Sequence, residues 1–409
     1  MDCFLLKAVS YAQHVPMPQN CLSFPKKKLK AFFFSLAFTL SGFLSQAQDS
    51  LPHLRISVLT CAAGEELYSV FGHTALRIID SVQHSDIVYN YGTFDFSDPD
   101  FYTKFTRGTL DYMLSAYSFQ DFMSEYYADK RSVTEQELKL TAETKKGLRN
   151  ALNQNLTGAS RYYKYVFNDN NCTTRIRDLL FQYGGFMADQ VLVPAGTTCR
   201  DMLHEALDNG NQPWSKLGID MILGSRIDQP LNISSSMFLP DYLMKGIDSS
   251  VRSKNILQEK KLIYESGVVK TSSGNRPLYL FSILALSAIL ISIPRHKTAK
   301  RITAAADVTL LTVTGLTGLF LLFMWLGTNH VACSNNYNLL WASPLQLVTV
   351  VGMRSKSAWW SKWTRILAIV YALLLISWAW LPQQLNPALI PVCIWIGWCL
   401  FRFSNSRHA

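Results

Sequence analysis

Asn168-Asp169-Asn170-Asn171-Cys172-Thr173-Thr174-Arg175-Ile176-Arg177-Asp178-Leu179-Leu180 is the stretch on which the reading of this chain turns. Its run of short Asn and Asp side chains is turn and N-cap material, able to satisfy the free N–H groups of a first helical turn. Ile176, Leu179, Leu180 and Tyr183 recur at helical spacing, and Gly184-Gly185 supplies a stop, so an amphipathic helix is predicted over 173–183. Cys172 then lies at the helix start, ahead of the apolar stripe in which a structural Cys would be buried. Unpaired N–H groups and the helix dipole favour a thiolate there. The same N–H groups can hold the oxyanion formed when the sulfur attacks a carbonyl. On its own, a lone Cys at a helix start divides evenly between catalysis and structure.

His73 tilts the balance. It lies in Tyr68-Ser69-Val70-Phe71-Gly72-His73-Thr74-Ala75-Leu76-Arg77, where Gly72 permits close chain approach and His73 opens a strand. The soluble region holds few other His: His53, His84 and His204. A Cys–His pair needs a third group to fix the imidazole tautomer. Asn90, in Ile87-Val88-Tyr89-Asn90-Tyr91 on the next strand, is the candidate, against the plainer reading of a hydrogen-bonded strand Asn.

Working outward, Leu54–Thr60, Thr74–Ile79 and Asp86–Tyr91 read as strands and Phe119–Lys130 as a helix. Thr134-Glu135-Gln136-Glu137 has the capping-box pattern and predicts a helix running to about Gln154. Arg161–Phe167 reads as an aromatic strand or connector, and Ser249–Asn275 as a polar connector. Tyr89, Tyr91, Phe94 and Phe96 are candidates for an acyl groove or for core. Arg77, Arg107, Arg161, Arg175 and Arg177 are candidates for phosphate contacts or for ordinary paired surface charges.

From Pro277 onward the sequence is built of apolar blocks, at about 277–294, 308–327, 338–353, 364–381 and 386–402, each near the ~20 residues a spanning helix needs. Nine of the ten Trp lie between Trp325 and Trp398. The formal net charge of +10 raises nucleic acid as a partner. The charge, however, sits in short clusters flanking apolar segments: Lys26–Lys30; Arg295, Lys297, Lys300 and Arg301; Arg354, Lys356, Lys362 and Arg365. That is the positive-inside pattern of a membrane protein, and no nucleic acid is expected. Lys26–Lys30, the apolar Ala31–Leu44 and the small residues of Ser45-Gln46-Ala47 form an export signal. The 25 residues before it are long for an n-region, and Met17 offers an alternative start. The signal and the loop charges independently put the soluble domain outside, with loops 328–337 and 382–385 on the same side. Cys393 and Cys399 fall in an apolar block; Cys61 and Cys199 are read either as a disulfide or as two buried thiols. No metal-ligand cluster or phosphate-cradling Gly loop is present, so no cofactor is expected.

The chain order, His on a strand, a polar residue on the next strand and Cys late at a helix start, reverses that of papain. It resembles the circularly permuted thiol enzymes of the NlpC and lecithin:retinol-acyltransferase type. A closer resemblance covers nearly the whole exported chain. FGHTALRI (71–78), VYNYGTFDF (88–96), NDNNCTTRIRDLL (168–180) and NYNLLWASPLQ (336–346) together resemble the Bacteroidetes-type lipoprotein N-acyltransferases. The resemblance implies an α+β papain-like periplasmic domain followed by an all-α transmembrane domain of about five helices. It divides the chain into a signal peptide with an extended N-terminal region (1–47), a periplasmic thiol domain (48–270) and a five-helix membrane domain (276–403). It implies Cys172, His73 and Asn90 as the catalytic set, and His330, Asn338 and Tyr91 as substrate contacts. The implied partners are a membrane phospholipid as acyl donor and diacylated lipoproteins as acceptors, at the inner membrane. The residues alone leave two other classes open: a membrane-anchored cell-wall amidase or peptidase, and a non-catalytic exported assembly protein.

Overall fold

The computed structural model describes residues 53–405 apart from 187, 189, 191, 251–255, 267–273, 295 and 354–356. The expected export signal and several residues of the basic loops lie outside the described residues. Strands β1 (Leu54–Cys61), β2 (His73–Asp80) and β3 (Ser85–Thr93) form where β-branched and aromatic residues alternate, and they pair as an antiparallel meander. Helix α1 (Phe101–Arg107) follows, then β4 (Asp111–Ser118), α2 (Phe119–Ala128), β5 (Val133–Leu138), α3 (Ala142–Thr157), the short β6 (Tyr162–Lys164) and α4 (Cys172–Gly184). Helices α5 (Cys199–Asn209), α6 (Pro213–Ile222) and α7 (Pro240–Asp248) precede the last strand, β7 (Leu257–Tyr264). The seven-stranded sheet has the order β6-β4-β3-β2-β1-β5-β7. Leu148, Leu152, Ile176, Leu180, Leu243 and Ile247 of α3, α4 and α7 bury one face, and Phe122, Met123 and Tyr126 of α2 bury the other.

Two expectations are corrected. The capping-box pattern at Thr134–Glu137 opens no helix: Val133, Gln136 and Leu138 are buried within β5, which lies between β1 and β7. The helix starts at Ala142, with the Thr141 hydroxyl accepting from the Thr144 N–H. Ser249–Asn275 is not all connector, because Leu257–Tyr264 pairs with β5 as an edge strand carrying Glu259, Lys260 and Lys261.

The C-terminal region is helical: α8 (Arg276–Ser292), α9 (Lys297–Leu326), α10 (Leu345–Gly352), α11 (Ala358–Ser377) and α12 (Ile390–Asn405). Three helical stretches among the described residues are long and apolar enough to cross a membrane, Lys297–Leu326, Ala358–Trp380 and Pro387–Asn405, and α8 is a shorter apolar helix. The third apolar block departs from expectation. It gives a 3-10 turn at Tyr337–Leu340 and, after Pro344, the eight-residue α10. Gly318 of α9 explains the close packing, since a Cβ there would overlap the Ala342 carbonyl.

The soluble domain is docked onto the outer loops of this region by buried polar contacts. The last carbonyls of α6 find no N–H donor within their own helix. The Asn338 amide donates to the Asp220 and Met221 carbonyls, Asn336 to Met221 and Ile222, and Gln383 to Leu223. Beneath them Arg200, fully buried, pairs with Asp220 at 3.0 Å and Asp228 at 2.8 Å, and Asn386 donates to Asp220. Gly224 donates its N–H to the Ala332 carbonyl, and a Cβ there would overlap Ser334. Both loops expected on the soluble domain's side of the membrane therefore touch that domain.

Candidate active site

Helix α4 begins at Cys172. Asn171 caps it: its side chain accepts from the Thr174 N–H, and Thr174 Oγ1 accepts from the Asn171 N–H. The Asn171 amide also donates to the Phe167 and Phe238 carbonyls, which fixes the turn before the Cys. Capping occupies the third N–H of the helix, leaving those of Cys172 and Thr173 without intrahelical acceptors.

Strand β2 brings His73 to the same point. Gly72 adopts φ +75, and a Cβ there would lie 2.8 Å from the Cys61 carbonyl oxygen, so only glycine fits this entry into the strand. Thr74 Oγ1 meets Thr173 Oγ1 at 3.0 Å, tying β2 to the start of α4. His73 Nε2 donates to Asn90 Oδ1 on β3. That leaves Nδ1 for Cys172, with which His73 shares a hydrogen bond. Thus the structure brings Cys172, His73 and Asn90 into one cluster, half-buried and reached from both sheet and helix.

The electrostatics single out this thiol. Burial pushes Cys172 up, but the His73 charge and hydrogen bond, the Thr74 backbone N–H and the Thr173 hydroxyl bring it down to about 7. Burial pushes His73 down, and the Cys172 sulfur together with the Asn90 bond lifts it above its ordinary value. Burial instead drives Cys61 and Cys199 up to about 12 and Cys333 to about 11. Cys61 and Cys199 are both buried and unpaired, so the alternative of a disulfide between them is not realised.

Gly92, within VYNYGTFDF (88–96), also belongs to the cluster. It has φ +98 beside the irregularity between Tyr91 and Thr93, and a Cβ there would stand 3.6 Å from that of Cys172. An isolated Gly within a strand pattern is the signal that could have marked it. Thr74 and Thr173 fall within FGHTALRI (71–78) and NDNNCTTRIRDLL (168–180), where a Thr carries no chemical signal of its own.

The expected substrate contacts are placed differently from one another. Tyr91 is 1% exposed, and its hydroxyl accepts from the Asn155 amide. It borders a cavity of about 420 Å3 lined also by Asn170, Arg175 and Asp178. His330 Nε2 donates to the Phe105 carbonyl at 3.0 Å, clasping α1 to the loop after α9. Asn338 is fully buried, and its side chain serves Asp220, Met221, Asn336 and the Trp341 indole. Expected as a substrate contact, Asn338 is in this structure occupied by protein partners as a strut between the sheet domain and the membrane region. Arg77 is ion-paired with Asp86 and Glu135 at 2.6 and 3.1 Å, the plainer of its two readings. Among the described residues, no group of three or more His, Cys, Asp or Glu is placed to hold a metal ion.

An antiparallel-sheet domain carrying a Cys–His–Asn cluster and docked on apolar spanning helices defines a membrane protein with an exported thiol domain. A family model described as the Lnb N-terminal periplasmic domain matches residues 44–203, and one described as the Lnb transmembrane domain matches residues 269–405. The chain belongs to the Lnb family, in agreement with the family resemblance of its motifs. It is an inner-membrane protein whose sheet domain lies in the periplasm. No curated protein and no solved structure gives a match.

Proposed function

We propose that this chain transfers an acyl chain from a membrane phospholipid to the N-terminal amine of diacylglyceryl-Cys lipoproteins, through a thioester on Cys172. The Cys172 thiolate attacks the ester carbonyl of the phospholipid, and the N–H groups at the start of α4 stabilise the oxyanion. The C–S bond forms and the ester C–O bond breaks. The His73 imidazolium gives its proton to the departing lysophospholipid alkoxide. Neutral His73 then takes a proton from the lipoprotein ammonium-derived amine as that nitrogen attacks the thioester. The C–N bond forms, the C–S bond breaks, and the thiolate–imidazolium pair is restored. Asn90 holds the imidazole tautomer throughout.

One observation carries this reading: a thiol brought down to about 7 by His73, in a domain whose fold is completed by the outer loops of a membrane region. A thiol serves both half-reactions, since it is acylated readily and leaves readily. Membership of the Lnb family supports the lipoprotein as acceptor. Tyr91 and His330 support the reading at its edges, Tyr91 beside the cavity that holds Arg175 and His330 where α1 meets the membrane loops. Mass spectrometry of lipoprotein N-termini tests it. Deletion in a host with no other such enzyme should abolish N-terminal acylation, and unchanged acylation refutes the proposal.

A further inference from the structure

The four aromatic residues Tyr89, Tyr91, Phe94 and Phe96 divide into two pairs. Tyr89 and Tyr91 are buried under α3 and α4 and belong to the core. Phe94 and Phe96 follow the end of β3, two and four residues past Gly92, and both pack on Phe101 of α1. There Phe94 stacks on Phe101 at 5.6 Å, and Phe101 stacks on Phe105 at 6.1 Å. In the other direction Phe94 packs edge-on against Tyr112 at 5.3 Å, and Tyr112 lies 4.6 Å from Tyr165. Tyr112, Tyr165 and Cys172 each pack against the same main core, and a Cβ on Gly92, two residues before Phe94, would stand 3.6 Å from the Cys172 Cβ. Burial raises the Tyr165 hydroxyl above its ordinary value, and the Cys172 sulfur raises it further.

The far end of the seam meets the membrane. The Asn329 N–H donates to the Arg107 carbonyl and His330 donates to Phe105, directly after α9 ends at Leu326. The large aromatics there are uncovered: Phe96 is 72% exposed, Tyr102 80% and Phe105 51%. Aromatic side chains at the end of a spanning helix sit at headgroup level. The four ring-to-ring steps from Phe105 to Tyr165 span at most about 22 Å, against roughly 15 Å for one hydrocarbon leaflet.

We propose that this seam is the path by which one acyl chain of the donor phospholipid leaves the bilayer, lying along Phe105, Phe101, Phe94 and Tyr112 with its ester at Cys172. The proposal rests on the acyl-transfer reading above and adds the residues that select a long-chain donor. The full chain is reconstituted in vesicles of palmitoyl-oleoyl phosphatidylethanolamine, and acylation of Cys172 is followed by intact mass. Reaction of the same protein with p-nitrophenyl acetate reports the thiol without the chain. Phe94→Ala combined with Phe105→Ser should slow acylation from vesicles by about tenfold or more, because two large apolar surfaces that would cover the chain are removed. The p-nitrophenyl acetate rate should stay within about twofold, a range that side-chain changes off the reacting atoms leave untouched. Phe96→Ser, at an exposed position that leaves the core intact, should slow only the vesicle reaction. Unchanged acylation from vesicles overturns the proposal. An equal fall in both rates also overturns it, since the rings would then merely support the thiol. Wild-type protein that reacts with p-nitrophenyl acetate but takes no acyl group from vesicles refutes the acyl-transfer reading itself, and the seam with it.

Discussion

Replacing His73 by Ala should raise the titration midpoint of Cys172 and leave a slow, alkaline thiol. In the folded protein burial opposes ionisation of this sulfur, and the His73 charge and hydrogen bond are the largest opposing influences. With them the thiol stands at about 7, so about half is thiolate at pH 7. Without them burial dominates, and the midpoint rises to or above the ordinary 9.0. The thiolate fraction at pH 7 then falls to about 1%, roughly a 50-fold loss. A more basic thiolate is intrinsically more nucleophilic, by about 6- to 10-fold over two pKa units for a Brønsted slope of 0.4–0.5. The net expectation is an alkylation rate at pH 7 lower by about 5- to 8-fold, with the midpoint displaced by about two units. The sign is fixed: the wild-type rate rises with pH through about 7, because reactivity needs the deprotonated sulfur. Iodoacetamide labelling of the detergent-solubilised full chain from pH 5 to 10, with Cys172→Ala as background, measures it. A midpoint that stays near 7 in His73→Ala refutes the coupling of these two residues.

Three further outcomes follow from the same geometry. Asn90→Ala removes the acceptor that orients His73 and should slow acyl-enzyme formation by about 10- to 100-fold, with little change in the lipid concentration giving half-maximal rate; single-turnover kinetics separate the two. Asp220→Ala leaves Arg200 buried opposite a missing partner and should cost about 3–5 kcal/mol, read as a lower melting temperature in detergent. Gly92→Ala places a Cβ beside the thiol at φ +98 and should cost about 1–3 kcal/mol, with a matching loss of Cys172 labelling.

The sequence carried the elements with a strong local period. Strands β1 to β3 were legible because β-branched residues alternate there, and α4 because Asn171, the Ile176–Leu180 stripe and Gly185 all agree. Cys172, His73 and Asn90 were legible as one group because chain order and strand adjacency both draw them together. The failures share a cause, which is that neighbours remote in sequence decided the outcome. Thr134–Glu137 satisfies a helix-start pattern and a strand alternation equally, and β1 and β7 on either side select the strand. Strand β4 and the edge strand β7 show too weak an alternation to announce themselves. Arg200 and Asp220 look like surface charges on amphipathic helices, and only the arrival of Asn386 and Gln383 encloses them. The third apolar block matched a spanning helix in composition, whereas Pro344 and the Asn338 hydrogen bonds divert it into a turn and a short helix.

The capping of α6 by Asn336, Asn338 and Gln383 also sets an order of events in time. The N-terminal domain emerges from the membrane first, yet the carbonyls at the end of α6 and one oxygen of Asp220 find their partners only on loops synthesised later. Those partners come from residues 336–386, so they arrive only as the later helices insert. Folding of the exported domain thereby reports on insertion of the anchor. A chain that stops short, or threads its helices wrongly, keeps a frayed helix and an exposed ion pair on the periplasmic side, where such a defect invites proteolysis rather than a free thiol enzyme at large.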